Sequence, residues 1–183
     1  MRHTCSSRRL PARLLLLSLL ATLLPGCGPE STSDMNQAIA SYDRGAYQAA
    51  FDEAQSVRYG GSSRDRERAT YVAGLSALRL GRVEQARELL GRAAEADERQ
   101  LAGLANVSLG RILLEDGSPL EAAHAFDVAS FKLTGDEADR AMMWAGKAYR
   151  DAGHHAQASA QRCRNATDRP RKHRWHPPAL SCQ

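Results

Sequence analysis

The chain has 183 residues, room for one ordinary domain with appendages, and its 43% apolar and 25% charged residues make a globular composition. Aromatic residues reach only 5% while alanine, leucine and arginine abound, a mixture that excludes a well-packed pleated core and favours closely packed helices. The formal charge of +4 is unevenly spread: four arginines without an acid in residues 1–26, 15 basic against 20 acidic residues in 27–161, and six basic residues against Asp168 alone in 162–183. An acidic body thus carries a basic tail.

Arg8, Arg9 and Arg13 precede an apolar run from Leu14 to Leu24, interrupted only by Ser18, Ala21 and Thr22. Such a run suits the core of a signal peptide and is shorter than the roughly 20 residues that span a bilayer. Leu24-Pro25-Gly26-Cys27 resembles the bacterial lipobox, with Pro25 departing from the small residue usual there. The resemblance implies that residues 1–26 are a lipoprotein signal peptide, that Cys27 is acylated, and that the chain is held by lipid at a membrane of the bacterial envelope, facing away from the cytoplasm. Each buried methylene of an acyl chain contributes about 0.8 kcal/mol, so several chains on one cysteine suffice as an anchor. A soluble secreted domain is the alternative, although no Ala-x-Ala cleavage site stands nearby. Residues 27–34, with Gly, Pro and small polar side chains, read as a tether, and the folded domain is expected to start near Met35.

Self-similarity dominates the rest. Gly45, Gly81, Gly117 and Gly153 recur every 36 residues, an alanine follows each by five (Ala50, Ala86, Ala122, Ala158), and Gly74, Gly110 and Gly146 precede the last three by seven. Each unit reads as two antiparallel helices. In the third, Asp116-Gly117 makes the turn and Ser118-Pro119-Leu120-Glu121 opens the second helix with a capping serine, a proline at the first helical position and a glutamate three residues after the cap. Thr134-Gly135-Asp136-Glu137 offers a second capping box before the fourth unit. Gly110 and Ala122 fall where the paired helices meet, and residues this small let two backbones approach while Leu113, Phe126 and Ala129 fill the space between. The second unit repeats the pattern as Gly74, Ala77, Gly81, Val83, Ala86, Leu90 and Ala93, the fourth as Gly146, Tyr149, Gly153 and Ala158, and the first more weakly as Ala38, Gly45, Tyr47, Ala50, Ala54 and Val57. In the fourth, Arg162 and Asn165 replace the equivalents of Phe126 and Ala129, so its second helix is expected to be a polar end cap.

This pattern resembles the tetratricopeptide repeat family over about residues 31–166. Its units are longer than the usual length of about 34 residues, and the closing proline of the family is missing, so Sel1-type or irregular helical hairpins stay open as alternatives. The resemblance implies an all-α fold of antiparallel helical hairpins stacked as a short solenoid over residues 35–166, with a curved inner face lined by the first helix of each pair. Matched position by position, that face is expected to present Arg68, Tyr71, Leu75, Leu78 and Arg79, then Leu104, Val107, Arg111, Leu114 and Glu115, then Arg140, Met143, Lys147, Arg150 and Asp151. Recurrent arginine and lysine would favour an extended peptide bearing carboxylates, with Tyr71 and Met143 as apolar contacts; solvation of an exposed helix face is the plainer account of the same residues.

With Cys5 in the signal and Cys27 acylated, Cys163 and Cys182 are left as a candidate disulfide in a compartment that permits one. His173, His176 and the cysteines match no compact zinc spacing, and no metal or cofactor is expected. His154-His155 falls at a turn and reads as solvated. Residues 167–183, basic, with Trp175 and Pro177-Pro178 and no helical period, read as a disordered tail able to meet anionic headgroups or an acidic partner. No nucleotide loop, metal pair or nucleophile with a base is present, so the chain reads as a non-enzymatic scaffold that binds a protein or peptide, with no nucleic-acid partner expected for an exported chain. A recruiting subunit of an envelope enzyme is the runner-up.

Overall fold

A computed structural model describes the chain from Ser31 to Asp168, and the side chains from Asp34 to Arg164. The expected signal peptide, Cys27, His173, His176 and Cys182 lie outside these residues, as does the tail from Arg169. Eight helices follow one another in four hairpins: α1 (Ser31–Asp43) with α2 (Tyr47–Gly60), α3 (Ser63–Arg79) with α4 (Val83–Ala94), α5 (Arg99–Glu115) with α6 (Pro119–Lys132), and α7 (Gly135–Asp151) with α8 (His155–Asp168). Among the described residues there is no strand.

The four evenly spaced glycines each end the first helix of a hairpin in the left-handed region, with φ of +79° at Gly45, +74° at Gly81, +75° at Gly117 and +78° at Gly153. Around each, the same two backbone bonds close the helix. The glycine N–H donates to the carbonyl three residues back (Tyr42, Leu78, Leu114, Arg150), and the next N–H donates to the carbonyl five residues back (Ser41, Ala77, Leu113, Tyr149), at 2.8–3.1 Å throughout. This is a Schellman closure, which needs a residue without a Cβ penalty at positive φ. The turn leaves a single residue (Ala46, Arg82, Ser118 or His154) between glycine and second helix, so the hairpin reverses within a fixed, short space.

Inside the hairpins, helix contact depends on missing side-chain atoms. A Cβ on Gly110 would come within 2.8 Å of the Phe126 ring, and one on Gly74 within 2.9 Å of Leu90 Cγ. Phe126 and Leu90 are themselves wholly buried, each lying across the glycine of its partner helix. Met35, Ala38, Phe51, Ala54, Val57, Val72, Ala77, Ala86, Leu89 and Leu90 form one core through the first two hairpins, joined by Ile112 of α5, and Ala122, Phe126, Ala145, Ala148 and Tyr149 form another in the last two.

The end of the array differs in kind. Gly146 meets Gln161 Cβ only at an ordinary 3.4 Å, because the phenyl ring of the third unit has no counterpart at Arg162. Instead α8 is joined to α6 by polar bonds: Gln161 Nε2 donates to Asp127 Oδ1 at 2.7 Å, and the Arg164 guanidinium donates to the same oxygen at 2.6 Å and to Ser130 Oγ at 2.8 Å. The expected polar cap is therefore a packed helix with a charged seam.

Three sequence expectations are corrected. Helix α1 begins at Ser31, so residues 31–34 of the expected tether are helical, with Asp34 in the first turn, where a carboxylate opposes the positive end of the helix dipole. Helix α8 also runs two residues past the expected domain end at 166. Finally, neither expected capping box forms: the side chains of Ser118 and Thr134 make no cap bond. Ser118 has ψ of 68° because its N–H is tied back to Leu113, whereas Ser62, free of such a turn and extended at ψ 164°, does accept from Asp65 N–H.

The two helix-facing glycines predict opposite responses. Gly→Ala in a helix normally gains about 1 kcal/mol. Gly146→Ala should stabilise the protein by up to about that amount, while Gly110→Ala should destabilise it by about 1–2 kcal/mol as Phe126 is displaced. Urea unfolding followed by far-UV circular dichroism measures both; equal shifts of the same sign would refute the packing account.

Candidate binding groove

The helices do not stack symmetrically. Helix α3 touches both α1 and α5, whereas no comparable contact joins α2 to α4 or α4 to α6 among the described residues. Over the first three hairpins, helices closer on one side than on the other curve the array with α1, α3 and α5 on the inside; α5 and α7 make no such close contact among the described residues.

Side-chain pairs 37 residues apart mark this inner face. Arg79 Nε donates to Tyr42 Oη at 3.4 Å across α3 and α1, Tyr71 and Ser108 share a hydrogen bond across α3 and α5, and Gln100 donates to Glu137 across α5 and α7. One repeat plus one residue is thus the lateral step along the groove, and the same step leads from Val107 to Trp144. Trp144 was not among the residues expected from the sequence. It is 37% exposed, stacks on Phe126 with ring centroids 6.2 Å apart, and carries the Lys147 Nζ 5.1 Å from its ring centroid. A period-based search compares residues 36 apart and passes over a lateral neighbour; only the sudden appearance of tryptophan where the third unit has Ser108 signals it.

The residues expected to line the groove divide into two groups. In the second unit they are already engaged. Arg68 pairs with Glu98 at 3.1 Å, Arg79 lies over the Tyr47 ring as well as bonding Tyr42, and Tyr71 is half-buried against the core. In the third and fourth units Arg111, Arg140, Lys147 and Arg150 are exposed and make no ion pair among the described residues. Met143, 56% exposed, stands among them. Acids stand on the same helices: Glu115 lies one turn after Arg111 on α5, Asp151 directly follows Arg150, and Asp136, Glu137 and Asp139 precede Arg140 on α7.

Burial pushes the Tyr71 phenol above the usual tyrosine value of 10.0, against a smaller opposing effect of the Ser108 hydrogen bond. Tyr149 is shifted in the same direction, also by burial. Among the described residues no group of three or more His, Cys, Asp or Glu side chains is placed to hold a metal ion, and no helix is long and apolar enough to cross a membrane. Cys163 lies half-buried on α8; its expected pairing with Cys182 falls outside the described residues.

Paired helices, a recurrent left-handed glycine closure and a curved inner face make a stacked helical-hairpin solenoid with a tetratricopeptide-like fold. Two solved structures of MamA are similar to it. One superposes with a TM-score of 0.61 at 19% identity, covering 84% of this chain and 83% of that one, and the other with 0.64 at 17% identity, covering 82% and 79%. No family model matches the chain, and no curated protein matches it in sequence. The likeness is one of fold.

Tyr71 provides a test of how tightly the inner helices are joined. A phenol whose folded pKa is raised contributes stability that is complete below pH 10 and is lost as pH rises through the folded value. The denaturation midpoint should therefore fall between neutral pH and about pH 11, and Tyr71→Phe should make that fall shallower. An unchanged alkaline slope in the variant would place Tyr71 in solvent.

Proposed function

We propose that this protein is a lipid-anchored scaffold of the bacterial envelope whose inner face holds an extended, partly acidic segment of a partner protein. The observation that carries the reading is the set of exposed cations Arg111, Arg140, Lys147 and Arg150 on α5 and α7, which make no ion pair among the described residues, together with the exposed Met143 and Trp144 on α7, where Lys147 lies over the Trp144 ring. Charges that merely solvated a helix face would gain nothing from facing inward, whereas cations beside apolar surface match a peptide that offers carboxylates and side chains together. Main-chain groups of an extended ligand would add hydrogen bonds to those side chains, and guanidinium groups suit the planar carboxylate. The reading assigns no chemistry to the groove and no cofactor.

Lipid attachment is supported by the order of basic residues, apolar run and Cys27 in the sequence, followed by a helical domain that begins only a few residues later. The anchor would hold the groove close to the membrane, because the segment between Cys27 and Ser31 is at most about 14 Å long when extended. Partners on or near that membrane are favoured by the short reach.

Two experiments test the two halves. An acidic peptide library titrated against the protein at low and high salt should yield binders that Arg111→Glu with Lys147→Glu weakens at least about tenfold, with affinity falling as salt rises; equal binding of acidic and neutral peptides would remove the electrostatic basis. Mass spectrometry of protein expressed in a bacterium should find Cys27 as the acylated N-terminal residue, and Cys27→Ala should move the protein from the membrane to the soluble fraction. An unmodified chain starting elsewhere would make it a soluble exported domain.

A further inference from the structure

The inward positions do not carry one chemistry along the array. Residues one repeat apart run Ile39, Leu75, Arg111, Lys147 in one series and Tyr42, Leu78, Leu114, Arg150 in the other. Both are apolar through the first two hairpins and end cationic. Ile39 is 40% exposed, and Tyr42, Leu75 and Leu78 are half-buried on the same inner helices. Of the second unit's own groove cations, Arg68 is ion-paired with Glu98, and Arg79, although exposed, bonds the Tyr42 hydroxyl and lies near the Tyr47 ring. In the last two hairpins the situation reverses: four exposed cations have no ion pair among the described residues, and the apolar surface between them is that of Met143 and Trp144.

From this division we infer that the groove is a polarised, two-part site: it takes a single extended peptide whose apolar half lies over α1 and α3 and whose acidic half lies over α5 and α7, beside Trp144. The inference rests on the groove reading and adds to it the arrangement of the ligand. Charge complementarity places the acidic half, since carboxylates over α1 and α3 would meet mainly isoleucine, leucine and tyrosine. Of the groove cations there, Arg68 is already paired and Arg79 is the one without an ion pair, against four such cations on α5 and α7. The length follows from the fold. Four inner helices about 10 Å apart span about 30 Å from first axis to last, which an extended chain covers in about nine residues.

The test uses the full chain carrying Trp175→Phe, which leaves Trp144 as its single tryptophan, since the sequence has two. Three ten-residue peptides of one composition are compared: an apolar block followed by an acidic block, the reverse order, and the same residues interspersed. One of the two block peptides should bind at least about tenfold more tightly than the interspersed one. A dinitrophenyl quencher on its acidic end should quench Trp144 emission more strongly than the same quencher on its apolar end. Ile39→Asp should weaken that peptide without changing its salt dependence, while Lys147→Glu should flatten the salt dependence, each in a variant whose circular dichroism is unaltered. Equal affinity of block and interspersed peptides, or stronger quenching from the apolar end, overturns the polarity while leaving the groove intact. Binding of none of the three by the folded protein overturns the groove reading itself.

Discussion

Close approach of two helix backbones at a missing Cβ is the contact on which the hairpins depend. Phe126 and Leu90 are wholly buried because Gly110 and Gly74 leave them somewhere to lie, and each large side chain in turn sets the separation of its two helices. The left-handed glycine that closes the first helix does the complementary work, fixing where the second begins. With both the depth and the length of the reversal set, every hairpin presents nearly the same side surfaces to its neighbours. Repetition of one local solution is then enough to build the array.

The last hairpin shows what happens when half of that solution is withdrawn. Its turn is intact, with Gly153 at φ +78° and the same two backbone bonds, yet no aromatic ring reaches Gly146. Asp127 gathers Gln161 and Arg164 instead, in a seam where the arginine and aspartate side chains remain about a quarter exposed (28% and 26%). A partly exposed pair of this kind is a modest source of stability, and Gln161 Oε1 is buried without a hydrogen-bond partner. Helix α8 thus carries Ala, Ser, Gln, Arg and His where α6 carries apolar packing residues.

The inner face obeys a different logic from the core. The small buried positions between paired helices repeat: Gly74, Gly110 and Gly146, or Ala86, Ala122 and Ala158, keep their type because the close approach around them recurs. Where a position faces the groove, type changes from unit to unit, as in Ile39, Leu75, Arg111 and Lys147. Variation superimposed on a strict packing frame is how one helical architecture presents different surfaces, and the same reasoning explains why similarity of fold to MamA at 17% and 19% identity carries no information about what this groove holds.

The phase of the repeats, the site of each turn, the small residues between paired helices and the polar character of the last helix are all local properties. A glycine at positive φ or a missing Cβ is stated by residue type alone, and a constant period makes the statement unambiguous. Tertiary structure decided the rest. Arg68 and Arg79 looked as available as Arg111 until stacking brought Glu98 and Tyr42 to them; Trp144 entered the groove through a lateral step one residue longer than the repeat; and Ser118 lost its capping bond to a backbone angle imposed by the preceding turn. Each of these outcomes depends on which side chains from different hairpins come face to face, a distance in space that no spacing along the chain encodes.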